Sequence, residues 1–316
     1  MMDTLGKAEV RGSLSPKSVN PQIYRVHAFT ANPREGNPAG VVPQAAQLDD
    51  HQMQAVATFM GLSETAFVFP SRQPRCLFQL RWFTPTIEVR LCGHATVATL
   101  KVLVALNLFP AEGRSAHIET LTGILQVRVE KTREGQFHWL EIPPPDFQEV
   151  TLDTDQLRKI FNLRTRDLHL GLPAVRDKSD GDLYIPVCGI EVLKRLEPNF
   201  DRMRTSKRWG ATCFFTPETF ELQNRWHCRY FAPAYGVDED PVTGAINGPL
   251  GAYHRIYAQL DEPDEIEYVG EQGDLIGHQG RVRVRVRAKG KIINSLEIGG
   301  EAVIVSKMPL SSVMGV

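Results

Sequence analysis

The feature that most constrains this 316-residue chain is a five-residue repeat. Arg81-Trp82-Phe83-Thr84-Pro85 reads Arg–aromatic–Phe–small–Pro, and Arg229-Tyr230-Phe231-Ala232-Pro233 reads the same 148 positions later. Each copy closes a strand-like run with a proline, which cannot continue a ladder. Each is followed by a polar loop and a glycine that opens a helix: Gly93 stands 8 positions beyond Pro85, and Gly244 stands 11 beyond Pro233. Ala95, Val97, Ala98, Leu100, Val102, Leu103 and Val104 leave the first of these helices apolar almost all round, the mark of a buried helix. Five positions can agree by coincidence. Read as a true repeat, a spacing near half the chain implies a duplicated domain, since solenoid periods run to about 20–50 residues. Two buried helices would then aim their unpaired first-turn N–H groups at an interdomain cleft. Such a cleft suits a small carboxylate.

Periodicity and breakers place the other elements. Strands are expected at Ile23–Phe29, Val41–Val42, Ala66–Phe69 and Leu77–Phe83, with residues 30–40 a loop by their Gly, Pro and Asn content. A helix is expected from an Asp49 N-cap to about Phe59, stopped by Gly61. Past the first buried helix come strands at His117–Leu121, Leu125–Val129 and Phe137–Ile142, then the breaker Pro143-Pro144-Pro145. Beyond it the pattern gives helices near Asp153–Phe161, Glu191–Leu196, Phe200–Ser206 and Gly244–Tyr257. Strands are expected at Leu168–Leu170, Leu183–Val187, Cys213–Thr216, Trp226–Phe231, Glu265–Val269, Val282–Arg287, Ile292–Ile298 and Ala302–Val305. Helices and strands alternate without a steady βαβ rhythm, so the class is α+β. The breaker divides the chain into domains at 21–142, completed by the last strand at about 300–308, and 146–299. Residues 1–20 read as a flexible leader; Lys7, Glu9, Arg11 and Lys17 leave no apolar signal core, and Asp3 and Glu9 count against a transit peptide.

Charge and cysteine usage exclude several function classes. Lys plus Arg total 36 against 37 Asp plus Glu, so nothing points to nucleic acid or an anionic membrane. No apolar run approaches the ~18 residues of a membrane span. Five scattered cysteines without a CxxC argue against a disulfide framework or a zinc site and for a reducing, cytoplasmic compartment. There is no GxGxxG opening a helix, no Walker A motif and no His–Glu metal pair, so no metal or nucleotide cofactor is expected.

Four side chains beside the helix starts can carry chemistry. Glu64 lies between a helix stop and the apolar run Ala66-Phe67-Val68-Phe69, where lost hydration raises a carboxyl toward useful proton-transfer values. The plainer reading of Ser63-Glu64 is a turn or capping pair. His94, one residue into its helix, can donate to a substrate or simply bond a backbone carbonyl. Asp240, before Pro241, is either a substrate contact or part of a solvated acidic turn. Cys92, at a helix N-terminus, is either a nucleophile or a small buried hydrophobe. Gln272, in the loop Gly270-Glu271-Gln272-Gly273, can hydrogen-bond a ligand. The alternation Arg281-Val282-Arg283-Val284-Arg285-Val286-Arg287 is a strand with valines inward and arginines outward.

Taken together, Val26-His27-Ala28-Phe29-Thr30, Gly36-Asn37-Pro38-Ala39, Leu62-Ser63-Glu64-Thr65-Ala66, Leu91-Cys92-Gly93-His94-Ala95-Thr96 and Glu239-Asp240-Pro241-Val242-Thr243-Gly244 closely resemble the PhzF-like isomerase family of phenazine biosynthesis. The resemblance runs from about Tyr24 to Val305. It implies the diaminopimelate-epimerase-like fold: two similar α+β domains, each a mixed sheet wrapped around a central helix, with the active site between them. It also implies a cofactor-independent isomerase or epimerase, usually a homodimer, acting on a small carboxylate. By position Glu64 matches the acid/base, and His94 and Asp240 match residues that orient the substrate and assist proton movement. Gly93 and Gly244 match backbone contacts to substrate, with Asn37, Ala245 and Gln272 also at substrate-binding positions. Two departures stand out. Thr243-Gly244-Ala245 offers no partner thiol to Cys92, and Ala245-Ile246 replaces the Ser-Ala common in the family. The leading expectation is therefore proton transfer by Glu64. The competing readings are a lapsed enzyme kept as a binding or interaction module, and a one-thiol enzyme using Cys92.

Overall fold

The computed structural model describes residues 21–314 apart from 114, 207 and 259–261, so the expected leader lies outside the described residues. The first half of the chain forms strands β1 (Gln22–Ala28), β2 (Asn37–Val42), β3 (Glu64–Phe69), β4 (Cys76–Phe83), β5 (Glu88–Val89), β6 (Ser115–Thr120), β7 (Gly123–Lys131) and β8 (Gln136–Ile142). Helices α1 (Asp50–Met60) and α2 (Gly93–Ala105) lie among them. The second half begins with β9 (Phe147–Glu149), α3 (Thr154–Phe161), β10 (Val175–Asp177), β11 (Leu183–Pro186), α4 (Ile190–Lys194) and α5 (Phe200–Arg204). It continues through β12 (Thr212–Thr216), β13 (Trp226–Ala232), β14 (Val237–Asp240), α6 (Gly244–Tyr257), β15 (Glu265–Gln272), β16 (Gly280–Lys289), β17 (Ile292–Gly300), β18 (Ala302–Pro309) and α7 (Ser311–Met314).

Strand pairing shows the duplication. In one half the order across the sheet is β18-β1-β2-β3-β4-β6-β7-β8, parallel at β2–β3 and β4–β6 and antiparallel elsewhere. In the other it is β9-β10-β11-β12-β13-β15-β16-β17, parallel at β11–β12 and β13–β15. Each half carries one short extra strand, β5 on β4 and β14 on β13. The halves join where β8 pairs with β17, from His138 opposite Gly300 to Ile142 opposite Leu296. The protein is thus α+β, with two similar units that each wrap a mixed sheet around one helix. Helix α2 lies against β1, β2, β8 and β18, and α6 lies against β16 and β17. From Gly93 to Leu100 every residue of α2 is buried, as an all-round apolar helix requires.

The repeated pentapeptide is more than five matching letters. Arg81 forks onto Glu88 of β5 (Nε–Oε1 2.7 Å, Nη2–Oε2 2.7 Å), and Arg229 forks onto Glu239 of β14 with both bonds at 2.8 Å. Each guanidinium also sits over the repeat's own phenylalanine ring, Phe83 or Phe231. Glu88 and Glu239 each precede their helix glycine by five positions. The fork therefore ties the end of the long strand to the short strand that feeds the helix start, in both halves.

Several local expectations change. The loop expected over residues 30–40 ends early, because Asn37 already pairs with Ala28 in the β1–β2 ladder. Leu168–Leu170 is not a strand; Leu168 makes only an isolated bridge to Val187. The short strands β5, β9, β10 and β14 were not expected. The most consequential is β14, since it replaces the solvated acidic turn: Asp240 pairs with Tyr230 and is only 9% exposed. On β16 the valines at 282, 284 and 286 are fully buried while Arg283 and Arg285 reach Glu267 at 2.7 Å each, the expected split of faces. Among the described residues no helix is long and apolar enough to cross a membrane.

Candidate active site

The two repeated helices meet at their N-terminal ends. A Cβ placed on Gly93 would lie 3.4 Å from Gly244 Cα and 3.5 Å from Ala245 N. The same atom would lie 2.7 Å from Ile298 Cδ1, as would a Cβ on Gly244. Glycine at both positions is what lets the helix starts close onto one another over Ile298. Neither start is capped by a side chain: Cys92 and Thr243 occupy the N-cap positions without a capping hydrogen bond. Two sets of first-turn N–H groups, with two positive dipole ends, are thereby concentrated in one place.

Glu64 stands beside this point as the first residue of β3, delivered by the turn after α1. Gly61 ends that helix in the left-handed conformation (φ 57°), donating its N–H to Ala57 O. The Glu64 side chain is 17% exposed, and its Oε2 lies 3.3 Å from His94 Nε2. That oxygen is shut off from solvent and, among the described residues, has no aligned hydrogen bond. Burial raises the Glu64 carboxyl above its ordinary value; His94 opposes the shift and the charge of Asp240 adds to it. His94 is held from both sides, with Ser63 Oγ 3.2 Å from Nε2 and Cys92 Sγ 3.4 Å from Nδ1. A desolvated carboxyl against a confined imidazole is a competent proton carrier.

The second half contributes a tightly braced loop. Asp240 accepts from Asn37 Nδ2 on Oδ1 at 2.8 Å and from Thr243 Oγ1 on Oδ2. Asn37 also donates to Val242 O at 2.8 Å, so one fully buried amide from β2 ties the two halves together beside α6. Gln272 donates to Asp240 O (2.8 Å) and Thr243 Oγ1 (3.1 Å), and accepts from Thr243 N and Asn247 Nδ2 (2.9 Å each). Its amide is saturated by protein groups, as are both hydrogens of Asn37. In this arrangement the two residues brace the α6 start. Sequence reasoning passed over Ser63 and Thr243 as site members; the signal was their adjacency to Glu64 and Gly244.

Among the described residues two clusters have metal-like composition. Donor atoms of Glu64, Cys92 and His94 lie within 4.8 Å of one another, as do those of His227, Glu271 and Asp274. In the second cluster the carboxylates are already engaged. Glu271 accepts from Phe220 N, Glu221 N and Asn224 Nδ2, all at 2.8 Å, and Arg281 forks onto Asp274. Burial pushes Glu271 up, but these bonds and His227 outweigh it and hold the carboxyl at about 2. Such a carboxylate anchors its loop. In the first cluster burial, with the Glu64 charge adding, pushes the Cys92 thiol well above its ordinary value, so thiolate is scarce.

The profile of the phenazine biosynthesis-like (PhzC-PhzF) family matches residues 26–308. The chain belongs to this family. An uncharacterized isomerase of Bacillus subtilis, YfhB, is 33% identical over 275 residues, covering 85% of this chain and 92% of the relative. The crystal structure of a PhzF-family phenazine biosynthesis protein from Bacillus anthracis superposes with a TM-score of 0.85 at 31% identity, covering 92% of this chain and 99% of that one. A hydroxyproline epimerase from Agrobacterium vitis, solved with trans-4-hydroxy-L-proline bound, shares the fold at a TM-score of 0.57 and 11% identity, each chain 91% covered. As a PhzF-family member with isomerase relatives, the protein is an enzyme of the isomerase type.

Proposed function

We propose that the protein is a cofactor-independent isomerase or epimerase of a small carboxylate, with Glu64 taking a proton from a carbon and returning one. The supporting observation is the abutment of two uncapped helix starts at Gly93 and Gly244 beside a half-buried, upward-shifted Glu64. First-turn N–H groups of both helices bind the substrate carboxylate and stabilise enolate charge as it develops. Glu64 then removes the proton next to that carboxylate, and His94, 3.3 Å away, steadies the charge Glu64 gains or loses. Asp240, Asn37 and Gln272 act as positioning residues that set the α6 start. The raised thiol of Cys92 and the lack of a partner thiol at Thr243 weigh against the one-thiol reading.

The test is a screen of carboxylate metabolites in deuterium oxide by proton NMR. Wild-type protein should exchange substrate hydrogen with solvent, and Glu64→Gln should lose that exchange by about 10²–10⁴-fold, the usual worth of a positioned acid/base. Normal exchange by Glu64→Gln on an accepted substrate would sink the assignment. Saturable binding with no exchange by wild type would favour the lapsed-enzyme alternative. Loss of exchange in a folded Cys92→Ala would revive the thiol.

A further inference from the structure

The far end of α6 opens on a cavity that no part of the proton-transfer site uses. Its volume is about 700 Å³, within the ~300–1,000 Å³ of small-molecule sites. Leu250, Tyr253, His254 and Tyr257 line it at the spacing of one helix face, and Phe215 and Trp226 add aromatic walls. Tyr257 lies 13 residues beyond Gly244, roughly 20 Å along the helix at about 1.5 Å per residue, so the cavity is separate from the helix starts. Counted from Gly93, the same positions of α2 are Thr99, Val102, Leu103 and Leu106, with no aromatic ring and no imidazole. The duplicated framework does not require this chemistry; the second half has added it.

We propose that this cavity is a second binding site, taking an uncharged, planar aromatic compound that bears a carbonyl acceptor. Two imidazoles supply the donors. Arg225 Nε donates to His254 Nε2 at 2.7 Å, so the His254 proton sits on Nδ1. Burial and the neighbouring Arg225 charge lower His254 to about 4, so the ring carries that single proton at neutral pH. Gly171 N donates to His169 Nδ1 at 3.2 Å, which leaves the proton of the neutral His169 ring on Nε2. His169 also lines the cavity. Among the described residues neither His254 Nδ1 nor His169 Nε2 has a hydrogen-bond partner, and neither is sealed from solvent. The charges around them disfavour an ion. The Arg225 guanidinium on the cavity wall is spent on Glu262 (2.8 Å) and His254. Glu218 lines the wall with no cation paired to it among the described residues; its Oε2 accepts from Ile190 N at 2.8 Å. The C-terminal end of α6, with its negative dipole end, lines the same space through Tyr257 and Ala258. An anion is opposed by both, and a cation would leave two N–H donors unmet. The Trp226 indole N–H is already held by Asn247 Oδ1 at 2.8 Å, and Tyr253 Oη donates to Pro173 O at 2.7 Å, so both residues offer ring surface. Leu222 of the lining is 97% exposed, apolar surface that a bound ring would cover.

The probe is coumarin, a neutral bicyclic lactone, titrated calorimetrically into the full chain beside naphthalene and coumarin-3-carboxylate. Coumarin should bind saturably with a Kd below about 1 mM, the scale for a ligand of its size. His254→Phe keeps a ring and loses the N–H, and should weaken coumarin about fivefold or more. Tyr257→Ala removes part of the wall and should weaken it by a similar factor, about fivefold. Naphthalene, without the acceptor, should bind about fivefold or more weakly than coumarin, and any binding of coumarin-3-carboxylate should be indifferent to Tyr257→Ala. Absence of saturable coumarin binding, or binding unchanged in either folded variant, overturns the proposal. Naphthalene binding as tightly as coumarin, or a carboxylate that binds more tightly and depends on Tyr257, does the same. So does self-association of the chain that abolishes coumarin binding, which would give the cavity to a second copy. Should His254→Phe not fold, a wild-type crystal soaked with coumarin decides. A carbonyl oxygen within about 3.2 Å of His254 Nδ1 or His169 Nε2 supports the assignment, and a coumarin placed elsewhere refutes it.

Discussion

Gly244→Ala probes the tight packing at the start of α6. The added Cβ would stand 2.7 Å from Ile298 Cδ1 and 2.9 Å from Phe29 Cζ. Carbon atoms rest about 3.5–4.0 Å apart, so each neighbour must retreat by roughly 1 Å. Ile298 Cδ1 is the end of a flexible side chain and can rotate away. Phe29 has less freedom. Its φ is 64°, fixed by Phe29 N donating to Glu301 O (2.8 Å) and Arg281 N donating to Phe29 O (2.9 Å). Overpacking of this kind costs about 1–3 kcal/mol, and alanine's helix propensity returns at most about 1 kcal/mol. The expected net loss is about 1–2 kcal/mol, a fall in Tm of about 2–3 °C for a chain of this length. Activity should fall further, by about 10²-fold, because a helix start displaced by ~1 Å no longer presents its N–H groups to the carboxylate. Circular dichroism melts and deuterium exchange on an accepted substrate measure the two effects. Ile298→Val, which removes the clashing Cδ1, should restore part of both in the double variant. Unchanged melting and exchange in Gly244→Ala would show that the close approach carries neither stability nor function.

Three further outcomes follow from the same geometry. Glu64 has a folded-state pKa above its unfolded value, so its contribution to stability is fully present below about pH 4 and is lost as pH rises through the folded value. Glu64→Gln should therefore melt higher than wild type at neutral pH, with a gap that narrows on acidification; a gap independent of pH would contradict this. Asn37→Ala leaves a buried Asp240 oxygen without its donor and should cost about 1–3 kcal/mol in a denaturant titration, with kcat falling more than KM rises. Arg229→Met removes both bonds to Glu239 and the bond from Nη1 to Leu193 O (2.7 Å), so a destabilisation of about 2–4 kcal/mol is expected; an unchanged midpoint would show the fork to be incidental.

The sequence made the repeated framework legible because its signals are local. Pro85 and Pro233 end strands, Gly93 and Gly244 open helices, and the residues of α2 are apolar all round, so the two halves and their buried helices could be read directly. The forks of Arg81 onto Glu88 and Arg229 onto Glu239 were also present, as a glutamate five positions before each helix glycine, but a spacing interrupted by unequal loops hides them. Strand β14 was hidden for a different reason. Asp238-Glu239-Asp240 is a poor strand by propensity, and only pairing with β13, the Arg229 fork and the amide of Asn37 make it one. Tertiary contacts outweigh composition there. Asn37 and Gln272 were legible as polar residues near the site, whereas their saturation by protein partners depends on residues some 200 and 30 positions away. We propose domain boundaries along the same lines, with residues 21–142 and β18 in one domain and 146–299 in the other.

The most direct test of Glu64 as the proton carrier is a single-turnover experiment in ordinary water with a substrate deuterated at the reacting carbon. A carboxyl that is mostly shielded from solvent and serves both carbons should return part of the deuterium to the product. Wild type is expected to show that partial retention, and Glu64→Gln is expected to bind the substrate without forming product. Product formation by Glu64→Gln at the wild-type rate, with the label fully washed out in both proteins, would contradict the central claim.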